Sequence, residues 1–234
     1  SLILEHQNEI GGRYSIFSNV GMVPAIIAGL DVKEIHKGAR ETINNENKYN
    51  FNEIGQIFRF QVEANIISSV IMTYSDALFY FGKWYLQLWS ESIGKNSKGI
   101  TPIHSIGTTD QHSQLQLYLD GPKDKFFTFY NTNHSKKGFK INNDIMIDQK
   151  VDYLANIKMG DLMEAEQKAT MDTFIKNNFK CREILIADVN AFSMGSLMAS
   201  SIIETIAACV YFEVDPFNQP SVEQGKKLTI QYLS

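Results

Sequence analysis

Apolar positions along this chain follow two rhythms. The segments "IISSVIMTYS" (66–75), "TPIHSIG" (101–107), "DKFFTFYN" (124–131) and "REILIADV" (182–189) are short and rich in β-branched or aromatic residues. They lack polar alternation, which predicts strands covered on both faces. Between the first two, "LFYFGKWYLQLWSES" (78–92) places Phe81, Trp84 and Leu88 at helical spacing. Further helices are predicted at "SQLQLYLDG", ended by Gly121, and at "DYLANIKMGDLMEAEQKATMDTFIKNN", with Gly160 near its start. "GSLMASSIIETIAACVYF" predicts a buried core helix, because Glu204 near its middle leaves it short of a membrane span. Strands alternating with helices define the expected fold class: α/β, a doubly wound, mostly parallel sheet flanked by helices.

The first 65 residues differ in kind. "GMVPAIIAGLDV" and the polar "KEIHKGARETINNENK" predict a helical connector over 1–65 leading into an α/β domain over 66–234. The Asn-, Lys- and Gly-rich "NTNHSKKGFKINND" (131–144) is the strongest loop candidate and is expected to be solvated and mobile. There is no internal repeat and no phosphate-cradling glycine motif.

Composition narrows the function classes. With 44% hydrophobic and 21% charged residues, the chain can bury a substantial core. A net charge of -4 and a pI near 5.7 give no basic footprint for nucleic acid or an anionic membrane. Cys181 and Cys209 flank apolar segments without metal-ligand spacing, so they are expected to be reduced structural thiols of a cytoplasmic protein. The opening "SLILEHQNEIGG" has no secretory pattern and starts at Ser1, as if entered partway through a longer protein.

Four places carry residue types suited to chemistry. In "NEIGGRYSIFSNVG", Gly11 and Gly12 offer a tight turn and Arg13 a permanently protonated guanidinium for a developing oxyanion; a surface arginine beside a loop is the plainer reading. In "LQLWSESIGK", Gln87 and Glu91 are four apart and share one helix face, so Glu91 is a candidate general base with Gln87 beside it, against the alternative of a solvated helix end. Gly94 ends that helix soon afterwards, and the dipole there disfavours a carboxylate by about 0.3–1 kcal/mol, too little by itself to poise a base near neutrality. His112 in "GTTDQHS" follows a strand's carboxyl end, where open α/β sheets hold ligands, and an imidazole both gives and takes protons near neutral pH. The last is Lys226 in "DPFNQPSVEQGKKL", one turn into a final helix, for which solvation is the default.

Taken together, these four stretches closely resemble the glucose-6-phosphate isomerase family. "NEIGGRYSIFSNVG" matches its first signature and "PFNQPSVEQGK", less perfectly, its second; "QLWSES" and "GTTDQHS" match its glutamate and histidine segments in order. The resemblance runs from Asn8 to the end of the chain. It implies a sugar-isomerase (SIS-type) domain that interconverts glucose 6-phosphate and fructose 6-phosphate through a cis-enediol. It also implies roles: His112 and Lys226 open the sugar ring, Glu91 moves the proton between C2 and C1, Arg13 stabilises the intermediate and Gln87 binds substrate. His112 is implied to arrive from the neighbouring subunit of a homodimer. No metal or organic cofactor is implied. Asn218 and Ser221 stand where the family usually has aspartate and glycine, which weakens the placement of Lys226. The family's first SIS domain, with its phosphate loop, has no counterpart here, so the isolated chain is expected to be incomplete for activity. A non-catalytic sugar-phosphate-binding or assembly module of the same fold is the alternative.

Overall fold

The computed structural model describes residues 3–45, 51–142 and 149–233. Four strands, β1 (Ser68–Thr73), β2 (Thr101–Ile106), β3 (Lys125–Thr132) and β4 (Cys181–Ile186), form one parallel sheet. Its order is β2-β1-β3-β4. The register pairs Val70 with Ile103 on one side and Phe127 on the other, and Tyr130 with Ile184. The expected α/β architecture is therefore present.

Burial explains why some strands read more clearly than others. β1 and β3 are central, and beyond their first residue every position is buried. β4 lies at an edge and alternates instead: Ile186 is buried, whereas Leu185 is 68% exposed. The continuous apolar strand expected at 182–189 is thus a half-covered edge strand.

Helices cover both faces. On one, Ile71 and Tyr130 pack with Phe81, Tyr85 and Trp89 of α4 (Phe79–Ile93) and with Leu197, Met198 and Ala208 of α7 (Ala191–Tyr211). The same core takes in Met22 of α1 (Asn19–Ile27), Ile35 of α2 (Val32–Asn44), and Ile54 and Phe58 of α3 (Phe51–Glu63). On the other face, Val70, Met72, Phe127 and Phe129 meet Tyr118 of α5 (Thr109–Asp120) and Phe174 of α6 (Met159–Lys176). Residues 46–48 of the polar segment lie outside the described residues.

α7 is 21 residues long and apolar enough, by length and composition alone, to cross a membrane. Its packing against α2, α3 and α4 makes it a core helix. Glu204, 9% exposed, is accommodated by a two-pronged bond from Arg182 on β4, at 2.9 and 3.1 Å. Burial works against the Arg182 charge, but the Glu204 carboxylate outweighs it and holds the guanidinium above the usual arginine range.

The loop expected at 131–144 begins two residues later than its composition suggests, since Asn131 and Thr132 are buried residues at the end of β3. The chain beyond Thr132 is anchored to the start of α6: the His134 and Ser135 amides donate to Glu164, and the Lys136 amide to Asp161. Residues 143 and 144 lie outside the described residues.

Candidate active site

Topology decides which groups can meet. α4, the crossover between the parallel strands β1 and β2, runs back from a carboxyl end to the amino edge of the sheet, and α7, which leaves the carboxyl end of β4, ends near the same edge, where Lys98 ahead of β2 donates to the Phe212 carbonyl. Their last turns therefore lie at that edge, and Arg13, from the 3₁₀ helix Gly12–Phe17, packs against the last turn of α4 and the segment that follows α7.

Arg13 is 2% exposed and uses all five of its N–H groups. Nε donates to Ser92 Oγ at 2.9 Å. Nη1 donates to Glu91 Oε2 at 3.3 Å and Gln219 Oε1 at 2.7 Å, and Nη2 to the carbonyls of Pro216 at 2.6 Å and Asn218 at 3.1 Å. A guanidinium suits this role, because its planar fork presents five fixed donors that a point charge cannot match. Trp84 Nε1 donates to the Arg13 carbonyl at 3.2 Å and fixes the backbone as well.

The expected helix-face pair is formed. Gln87 Nε2 donates to Glu91 Oε1 at 3.0 Å, so one carboxylate oxygen faces Gln87 and the other Arg13. The Glu91 side chain keeps 29% exposure against 1% for Arg13, which leaves a solvent-facing carboxylate fixed beside a sealed cation. Lys95 Nζ binds the carbonyls of Glu91, at 3.0 Å, and Ser92, capping the end of α4. Burial pushes its ammonium below the ordinary lysine range.

The glycine pair does not act through tight-turn freedom. Gly11 has φ -58°, and neither Gly11 nor Gly12 is among the residues with left-handed backbone. A Cβ on Gly12 would meet nothing within 4 Å.

His112 and Lys226 lie elsewhere in the chain. His112 sits in the first turn of α5, exposed, beside a hollow it shares with Thr108, Gln111 and Glu166. That turn follows the carboxyl end of β2, whereas Glu91 lies near its amino end. A six-residue strand puts roughly 17–20 Å between the two levels. Lys226 belongs to α8 (Glu223–Leu233), which buries none of its residues and packs chiefly on the 3₁₀ turn Pro220–Val222 before it. Its ammonium pairs with Glu223 at 2.7 Å. Ser221 has no left-handed backbone and Asn218 contributes its carbonyl, so neither departure from the family pattern strains the segment.

Ser92, Tyr14, Gln219 and Lys95 escaped sequence reasoning. Ser92 and Tyr14 adjoin residues that were singled out, but their pairing spans 78 positions. The two thiols are not activated: burial pushes Cys181 up and Cys209 up to about 11. Among the described residues, no three His, Cys, Asp or Glu side chains converge as a metal-binding group.

Known proteins resemble this chain in sequence and in fold. The glucose-6-phosphate isomerase of Rubrobacter xylanophilus is 35% identical over 226 residues, covering 94% of this chain and 52% of that protein. That of Methanocaldococcus jannaschii is 35% identical over 224 residues, covering 94% and 55%. The chain thus spans about half the length of the curated relatives it matches. A hypothetical protein from Thermus thermophilus superimposes with a TM-score of 0.88 at 28% identity, over 97% of this chain and 56% of that one. A glucose-6-phosphate isomerase from Chlamydia trachomatis shares the fold, with a TM-score of 0.77 at 20% identity over 97% and 48% of the two chains. The family model described as Phosphoglucose isomerase matches residues 1–234, a span that takes in Arg13, Glu91, His112 and Lys226, and the chain belongs to that family.

Proposed function

We propose that Arg13, Glu91 and Gln87 are the proton-transfer part of an active site that interconverts glucose 6-phosphate and fructose 6-phosphate. The observation carrying this reading is the fixed carboxylate–guanidinium pair, 3.3 Å apart, with the cation sealed and the carboxylate open to solvent. Glu91 takes the proton from C2 of the open-chain aldose, and the electron pair moves onto the carbonyl oxygen to give a cis-enediolate. The same carboxyl group returns the proton to C1 while the hydroxyl proton on O2 passes to O1, so that O2 becomes the carbonyl of the ketose. Arg13 opposes the negative charge of the intermediate. Since its five N–H groups are engaged by protein acceptors, an enediolate oxygen is reached by exchanging Gln219 or Glu91 at Nη1.

Ring opening is assigned to His112 of a second copy and to Lys226. The opposite-edge placement of Glu91 and His112 favours a twofold assembly over one chain closing on itself. Lys226 reaches the site by a turn of α8 about residues 220–222, beyond the segment tied to Arg13, since neither that turn nor the helix is buried. A cytoplasmic setting suits a sugar phosphate and two reduced thiols.

One observation favours the competing reading of a binding or assembly module: within one chain, His112 and Lys226 stand apart from the Arg13 cluster. Fructose 6-phosphate conversion, assayed in the whole natural polypeptide alongside calorimetric binding, separates the two. The isomerase reading predicts turnover. Saturable binding without turnover selects the module.

A further inference from the structure

The polar groups around Arg13 lie close enough to order one another's hydrogens. Arg13 Nε can only donate, and it donates to Ser92 Oγ at 2.9 Å. The Pro216 carbonyl can only accept, and it takes the single Tyr14 hydroxyl hydrogen at 3.2 Å. Either oxygen could donate across the 2.8 Å contact between Ser92 and Tyr14; with the phenol hydrogen on Pro216, it is the serine hydroxyl that donates to the phenol oxygen. Arg13 Nη2 donates to the same Pro216 carbonyl at 2.6 Å. The result is a closed ring that starts and ends on one edge of the guanidinium: Nε to Ser92 to Tyr14 to Pro216, met from the other side by Nη2.

We infer that Ser92 and Tyr14 are positioning residues, locking the Nε–Nη2 edge of Arg13 so that Nη1 alone is presented to Glu91. Four features support this. Ser92 is fully buried, so no water competes for its hydroxyl. Burial raises the Tyr14 phenol above its ordinary range, which keeps it a hydrogen donor at working pH. Its ring lies 5.1 Å from the Arg13 guanidinium carbon and 5.5 Å from the Phe217 ring, so it is held on both sides. The ring also joins three remote pieces of chain: the arginine turn, the end of α4 and the segment leading to α8. A lysine at position 13, or a phenylalanine at 14, would break it.

The role of the ring in turnover rests on the isomerase reading; the hydrogen-bond order does not. The test is solvent exchange of the Arg13 Nε hydrogen, followed by NMR in chain labelled at arginine. In wild type the hydrogen is expected to exchange slowly. Ser92→Ala removes its acceptor and is expected to speed exchange about 10-fold or more, the change expected for a hydrogen bond worth one tenfold step. Tyr14→Phe retains the ring stacking and is expected to speed it about 3-fold or more, since Ser92 loses its own acceptor. Should Ser92→Ala not fold, Tyr14→Phe gives the same readout. Exchange within about twofold of wild type in the folded variants overturns the ring. In the whole natural polypeptide, Tyr14→Phe is expected to lower kcat for fructose 6-phosphate while KM stays within about twofold. An unchanged kcat overturns the positioning role. If wild type shows no turnover, the isomerase reading fails while the exchange data still decide the ring.

Discussion

Glu91→Gln in the whole natural polypeptide is expected to lower kcat for fructose 6-phosphate by about 10²- to 10⁴-fold, the usual contribution of a positioned general base. The substitution is nearly isosteric and keeps an acceptor for Gln87, whose amide bonds Glu91 at 3.0 Å. It leaves Arg13 with Gln219, Ser92 and two carbonyls, so the fold and the guanidinium stay in place. KM is therefore expected to change little, because the interaction lost is one made in the transition state. Deuterated water gives a second readout: wild type should place deuterium at C1 or C2 of the sugar phosphate, and Glu91→Gln should not. Undiminished exchange in the variant would assign the base to another residue.

Gly195→Ala is expected to destabilise the chain by about 3 kcal/mol or more, at the upper end of overpacking costs. α2 and α7 cross backbone to backbone. A Cβ on Gly195 would lie 1.9 Å from the Ile35 carbonyl oxygen, and one on Gly38 would lie 1.9 Å from that of Phe192. Both obstacles are main chain inside helices, so relief requires the two helices to separate and their shared core to open. The helical propensity gained by removing a glycine is about 1 kcal/mol and cannot offset this. Gly55→Ala is the control, since a Cβ there meets nothing within 4 Å; the same chemical change should be neutral or stabilise by up to about 1 kcal/mol. Urea unfolding of the three proteins checks the sign of both. Similar midpoints for Gly195→Ala and wild type would mean that the helices cross less closely than described.

The α/β alternation was legible because β1 and β3 are covered on both faces, which forces runs of consecutive apolar residues. β4 was overread: an edge strand needs only one apolar face, and Leu185 is exposed. Glu204 was visible as an interruption in an apolar helix, but its partner Arg182 lies on a different element, and no local pattern announces such a pairing. Gly38 and Gly195 look like weak points in helices until the crossing shows what they admit.

Legibility of the candidate site divides along similar lines. Gln87 and Glu91 were readable together because helical geometry places residues four apart side by side. Arg13 was readable as chemistry but not as a hub, since its acceptors lie 78 to 206 positions away. The rule that ligands gather at strand carboxyl ends was applied to His112, which does follow the carboxyl end of β2; it has no bearing on Glu91, because α4 carries its last turn back to the opposite edge.

That separation yields the sharpest experiment on whether the site is built from two copies. Whole natural polypeptides carrying Glu91→Gln and others carrying His112→Ala, each expected to be nearly inactive alone, are mixed in equal amounts, dissociated and reassociated. Random pairing makes half the assemblies mixed, and each mixed pair holds one site of two with both native groups, so about one quarter of wild-type turnover should return. A mixture as inactive as its components would contradict a site shared between copies.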